Sequence, residues 1–183
     1  MDRRQRKSRE AIFAALTELL SEKDFMQITV GEIIQRADVG RATFYAHFET
    51  KDYLLKELCA ELFCHVLDAA CCQHSEHRHI FNCEAPDSAF VHLLQHLQQN
   101  DNHVLDLLSG RNNELFLQYF KSNLRQLTES QLPLFAARKS ERLPDDFWID
   151  HIASVFVDTV RWWVDHGLQE SAQTVAEYFF LAV

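Results

Sequence analysis

The sequence predicts an all-α fold of about nine helices, and three observations carry that reading. Four glycines and three prolines punctuate 183 residues, too few for the many turns that a strand-rich fold requires. Apolar residues make up 47% of the chain, enough for a substantial core. Along most of the length they recur at intervals of three and four, the spacing of one helix face.

The elements follow in order. Ile12, Phe13, Leu16, Leu19 and Leu20 mark a first helix from Arg9 to Glu22. A link through Lys23–Ile28 follows, with Phe25 and Ile28 turned to a small core. Thr29-Val30-Gly31-Glu32 has the form of a capping box: the Thr hydroxyl accepts from the amide three residues on, and the Glu reaches back. A second helix runs to about Ala37 with Val30, Ile33, Ile34 and Ala37 on one face. Asp38-Val39-Gly40 is a tight turn, and the third helix, Arg41 to about His47, is barely two turns long. Thr50 is placed to cap a fourth helix that starts at Lys51 and extends toward Cys71. Helices two and three, joined by so short a turn, make helix-turn-helix architecture, and the third is the candidate recognition helix. The expected division is a DNA-binding unit at residues 1–50 and a larger helical regulatory and dimerisation unit at 51–183.

Residues 72–86 lack helical periodicity and read as a loop. Asp87 or Ser88 caps a fifth helix through about Gln99; Asp101 opens a short sixth, stopped near Gly110. Asn112 or Asn113 starts a seventh to about Glu129, and Pro133 and Pro144 bracket a variable segment. Asp145 or Asp146 caps an eighth helix that stops at Gly167, a natural residue just past a helix end, and Ser171 caps a ninth.

Charge is uneven. Residues 1–56 carry ten Lys/Arg and nine Asp/Glu, whereas the remainder carries eight and eighteen. Five of the basic side chains are Arg3, Arg4, Arg6, Lys7 and Arg9. A basic arm at one end of an acidic chain points to a polyanion partner at that end, though a solvated tail has the same composition. No apolar run approaches the ~20 residues that span a bilayer, and no apolar segment follows the arm as in a secretory leader. A soluble, cytoplasmic protein with no membrane partner is expected. There is no Gly-rich phosphate loop, no H-E-x-x-H and no G-x-S-x-G, so an enzyme is not expected and no cofactor is implied.

The segment Thr29 to Leu54, TVGEIIQRADVGRATFYAHFETKDYLL with the following Leu55 included, resembles the DNA-binding signature of the TetR/AcrR family. That signature is close to T-hydrophobic-x-x-I-A-x-x-A-G-V-S-x-x-T-hydrophobic-Y-x-H-F-x-x-K-x-x-L. Val39, Thr43, Tyr45, His47, Phe48, Lys51 and Leu54 coincide with it at fixed spacing, and the resemblance covers residues 8–55. Two positions depart. The usual turn glycine is Asp38, which tolerates a left-handed backbone better than most residues, and the usual capping serine is Gly40, a weaker cap. Val160-Arg161-Trp162-Trp163-Val164-Asp165-His166-Gly167 is similar to the end of the penultimate helix in one C-terminal subfamily.

The resemblance implies a dimeric regulator bound to a pseudo-palindromic duplex. It places Thr43, Tyr45, His47 and Lys51 along the phosphate backbone, with Thr29 near the same strand. Arg41 and Ala42 fall in the first turn of the recognition helix, and Arg41 is equally suited to guanine or to phosphate. It pairs the last two helices with those of a second copy, through Trp162, Val175, Tyr178 and Phe179. It also implies a pocket for an unknown small-molecule effector, with Phe90, Leu94, Phe116, Tyr119, Phe120, Phe156 and Trp163 as candidate lining. A repressor released by that effector is the leading expectation. An effector-independent activator or co-regulator with a protein partner is the alternative. A third reading is a metal or redox sensor using Cys71, Cys72, His74, His77, His79 and Cys83. Their spacing matches no paired-knuckle zinc pattern, so no metal site is expected, and Cys59 and Cys64 are read as small apolar helix residues.

Overall fold

The computed structural model describes residues 3–71, 88–99, 103–109 and 114–183. All regular structure among them is helical. α1 spans Arg3–Glu22, and a 3-10 turn, Phe25–Gln27, follows. α2 spans Val30–Arg36, α3 Arg41–His47 and α4 Lys51–Cys71. α5 is Ala89–Gln99, α6 Val104–Ser109 and α7 Glu114–Ser130; a second 3-10 segment covers Leu132–Arg138. α8 is Asp145–Asp165 and α9 is Ala172–Ala182.

The N-terminal unit closes on an aromatic centre. Phe44 of α3 and Phe48 just beyond it are fully buried, and Phe48 meets Phe13 of α1 edge-on at 5.4 Å between centroids. α1 begins six residues earlier than the apolar periodicity places it, so the basic arm is the first part of a helix, not a tail. Arg, Lys and Gln are good helix formers, Arg6 and Glu10 pair at 3.6 Å one turn apart, and Arg9 is held by α4.

The turn between α2 and α3 is a Schellman motif. Asp38 is left-handed at φ 51°, its N–H donates to the Gln35 carbonyl, and the Val39 N–H reaches the Ile34 carbonyl at 3.2 Å. Gly40 has the extended backbone of an N-cap, at φ −74° and ψ 152°. α8 ends the same way, with Gly167 at φ 70° and the Leu168 N–H on the Trp163 carbonyl.

α4 leaves the N-terminal unit and runs into the larger one, where it packs on α5 and α7. α7 packs on α8, and α9 lies between α5 and α8. Rings fill the centre. Phe90 of α5 lies 5.1 Å from Phe179 and 5.8 Å from Phe156, and Phe63 of α4 lies 5.1 Å from Phe120 of α7. The α8–α9 turn is tied to its surroundings by one carbonyl. Glu170 O accepts from Trp163 Nε1 at 3.0 Å and from Gln98 Nε2 at 3.2 Å, and Gln98 Oε1 accepts from the Ala172 amide.

Candidate nucleic-acid interface

α3 is oriented by what it buries. Phe44 faces the core, so Arg41, Ala42 and Tyr45 face outward and Thr43 and His47 lie half-buried at the edge. Tyr45 stands edge-to-face with Phe44 at 5.4 Å between centroids and is 47% exposed. An open cleft between the start of α1 and α3 is lined by Arg4, Gln5, Ser8, Ala42, Thr43 and His47. Arg3, Arg4, Arg6 and Lys7 are exposed on the helix that forms one wall. Basic side chains therefore border the outward face of α3, an arrangement suited to a polyanion.

His47 shares a hydrogen bond of 2.7 Å with Ser8 Oγ of α1. Burial, with the Arg9 guanidinium second, pushes its imidazole below the ordinary histidine range, which favours the neutral form. Thr29 completes the capping box: its Oγ1 accepts from the Glu32 amide at 3.3 Å while its own amide donates to Glu32 Oε2 at 2.9 Å. Lys23 pairs with the same carboxylate, and these donors, Lys23 foremost, hold Glu32 down to about 2.

Lys51 is held within the protomer by backbone carbonyls. Its ammonium donates to the carbonyls of Ile28 at 2.8 Å, Phe25 at 3.0 Å and Met26 at 3.4 Å, and sits 4.6 Å from the centre of the Phe25 ring. An ammonium has three N–H donors, and all three are engaged in tying α4 to the 3-10 turn. What remains toward solvent is its charge.

The expected dimer residues separate into two classes. Val175 and Phe179 are 0% exposed within the protomer, where Phe179 touches Phe90, Phe135 and Phe156. Trp162 and Tyr178 are 41% and 42% exposed, pack against each other edge-on at 5.9 Å, and line a mostly apolar groove with Val155, Asp158, Thr159 and Ala182. Leu181 adds an exposed apolar side chain on the same helix.

Of the expected pocket lining, Phe90, Leu94, Phe116, Phe120, Phe156 and Trp163 are fully buried and Tyr119 is half-buried. The rings pack on one another: Phe116 lies 6.2 Å from Phe120, and Phe90 faces Phe156. Trp163 gives its indole N–H to the Glu170 carbonyl.

Residues 72–87, with the expected loop cluster of Cys72, His74, His77, His79 and Cys83, lie outside the described residues, as does the side chain of Cys71. Cys59 is buried, and burial pushes its thiol well above the usual range; Cys64 is exposed. A cluster the sequence reading missed lies nearby. His65 of α4 and His92 and His96 of α5 bring one ring nitrogen each to within 4.8 Å of the others. Burial, then the neighbouring imidazoles of His96 and His65, pushes His92 down to about 4. The signal available was His92 and His96 at i,i+4 inside the apolar run AFVHLLQHL.

Comparison with known proteins agrees with this geometry. Residues 12–58 match the family described as bacterial regulatory proteins, tetR family, and residues 84–183 match a transcriptional regulator C-terminal region. A TetR transcriptional regulator from Streptococcus agalactiae 2603V is 31% identical, with a TM-score of 0.75 over 100% of this chain and 96% of that one. A protein from Syntrophomonas wolfei str. Goettingen shares the fold at a TM-score of 0.68 and 15% identity, over 96% and 92% of the two chains. The HTH-type transcriptional regulator YxbF of Bacillus subtilis (strain 168) is 37% identical over 75 residues, 38% of this chain and 20% of that protein. YvdT of the same strain is 32% identical over 59 residues, 32% of this chain and 30% of that protein. The chain thus spans less than a third of the length of the curated relatives it matches. The helix-turn-helix with its basic border, the helical C-terminal region and these matches along nearly the whole sequence agree: the chain belongs to the TetR family of DNA-binding transcriptional regulators.

Proposed function

We propose that the chain is a cytoplasmic, non-catalytic repressor that binds a pseudo-palindromic operator as a homodimer and is released from it by an effector. The observation that carries this reading is the outward face of α3: Arg41, Ala42 and Tyr45 stand exposed beside the basic start of α1, while Phe44 fixes the helix from behind. A two-turn recognition helix supplies little affinity alone, so a pair acting on successive major grooves is required. The Trp162–Tyr178 groove on α8 and α9 is the face assigned to the second copy. Arg41 is assigned to a base edge or a phosphate, and Thr43, Tyr45 and His47 to the backbone, with Thr29 on the same side. Lys51 contributes charge near the backbone and holds α4 in place.

The core packing of Phe90, Phe156 and Phe179 favours a second reading for one part of this proposal: DNA binding without an apolar effector. The test is binding to a duplex that the protein selects from a random pool. Dimeric binding that weakens steeply with salt, a changed base preference in Arg41→Ala and uniform weakening in Tyr45→Phe are expected. Salt-independent binding, or selection of no duplex at all, refutes the operator-binding reading.

A further inference from the structure

Three imidazoles converge where α4 packs on α5. His92 and His96 are one turn apart on α5, so both rings cover the same face, and their Nε2 atoms are 3.1 Å apart. The His65 ring comes from α4, with its centroid 5.0 Å from His92 and 4.9 Å from His96. His92 and His96 are 1% and 2% exposed, and His65 is half-buried. Leu62, Val66, Leu93 and Leu97 beside them are fully buried. Leucine at all three positions would close the same seam without burying polar rings that must be satisfied.

We propose that His65, His92 and His96 bind a divalent transition-metal cation of the zinc class, and that this cation is the effector; the second half rests on the effector-responsive reading above. The donor set selects the cation. Imidazole nitrogen suits zinc, copper, nickel and cobalt, whereas magnesium and calcium take oxygen ligands. Nitrogens at about 2.0–2.1 Å from a tetrahedral zinc lie about 3.3 Å from one another. The His92–His96 pair is already at that separation, and with every ligand-atom distance within 4.8 Å, His65 needs to close by roughly 1.5 Å at most. Three imidazoles leave a tetrahedral cation one further ligand to take.

The placement supplies the coupling. His65 is one turn beyond Glu61 on α4, and Glu61 holds Arg9 of α1 at 2.6 Å. The start of the same helix is fixed to the N-terminal unit by Lys51. On the other side, α5 packs on α9 and its Gln98 grips the α8–α9 turn. Drawing His65 toward α5 therefore moves the helix that carries the DNA-binding unit relative to the helices assigned to the dimer.

The test uses full-length, untagged protein dialysed against EDTA and titrated with cobalt, read by its visible absorption, with zinc as competitor. One equivalent per chain is expected. Affinity should fall about tenfold or more in His92→Gln and in His65→Gln, and stay unchanged when His74, His77 and His79 are all replaced by Gln. The half-buried His65→Gln, checked for helical circular dichroism, carries the test if His92→Gln fails to fold. Absence of stoichiometric cobalt binding by folded wild type, binding that survives His65→Gln, or loss only in the triple loop variant overturns the site. For the effector half, saturating zinc should change affinity for the selected duplex by about fivefold or more in wild type and not in His65→Gln. Unchanged DNA affinity in zinc-loaded protein overturns the effector assignment while the metal site stands. Failure to bind any DNA refutes the operator-binding reading instead.

Discussion

Replacing Arg9 with Met removes the guanidinium that joins α1 to α4 and keeps most of the aliphatic stem. Arg9 donates to Glu61 at 2.6 Å and to Glu57 at 3.1 Å, and its guanidinium lies 4.6 Å from the centre of the Phe13 ring. A hydrogen bond between charged groups contributes about 1.5–3 kcal/mol when sheltered. These side chains are 19–30% exposed, so screening reduces each to about 1 kcal/mol. The ring contact adds about 0.5 kcal/mol. The variant also leaves Glu57 and Glu61 facing each other at i,i+4, a repulsion of a few tenths of a kcal/mol. Because the two carboxylates share one partner, the expected total is about 2 kcal/mol. In a protein of this size that lowers Tm by about 4–8 °C. Urea denaturation and a thermal scan read the loss. A double-mutant cycle with Glu61→Gln should return a coupling of about 1 kcal/mol. A loss below about 0.5 kcal/mol, or strict additivity in the cycle, would refute the claim that this contact clamps the two units together.

Three further outcomes are expected. Asp38→Gly relieves a left-handed backbone that costs an L-residue about 1–2 kcal/mol, against about 0.4–1 kcal/mol of extra unfolded-state entropy, so denaturation should show a net gain of about 0.5–1 kcal/mol with operator affinity unchanged. Trp162→Glu and Tyr178→Glu should leave the circular dichroism spectrum intact and shift sedimentation to monomer, whereas Phe179→Glu should unfold the chain; a folded dimer in all three sinks the interface assignment. Glu32, held at about 2 against an ordinary value of 4.5, stabilises the fold fully above its unfolded pKa and loses that contribution as pH falls from about 5 to 2. Stability curves of wild type and Glu32→Gln should therefore converge across that window, and a constant difference through it would contradict the assigned pKa.

The parts of the fold legible in the sequence are those set by contacts a few residues apart. The Thr29–Glu32 box, the turn at Asp38, the core face of α3 and the stop at Gly167 each depend on spacing within one or two turns, and each stands where the pattern places it. Contacts that needed partners distant in the chain were not legible. The basic residues from Arg3 onward look like a tail until Glu57 and Glu61 are brought to Arg9. α9 is apolar on more than one face, so only the position of Phe90 and Phe135 decides that Phe179 turns inward and Tyr178 outward. Lys51 coincides with a family position, yet the carbonyls that engage it come from a turn more than twenty residues earlier. The histidine cluster was overshadowed by the denser Cys/His stretch at 71–83, and nothing local in the sequence sets His65 against His92 and His96.

The way α4 is gripped bears on transplanting the reading head. A chimaera joined between residues 50 and 51 separates Arg9 from both of its carboxylates and Lys51 from the carbonyls it binds. The donor's α1 would then meet a foreign α4 with no complementary charge, and the graft would inherit a loose joint. A seam between Glu61 and His65 keeps every one of these contacts within a single parent and leaves the histidines with the receiving body. The exchangeable module therefore extends a full three turns past the helix-turn-helix, and a designer who cuts at the motif's edge cuts through its anchor.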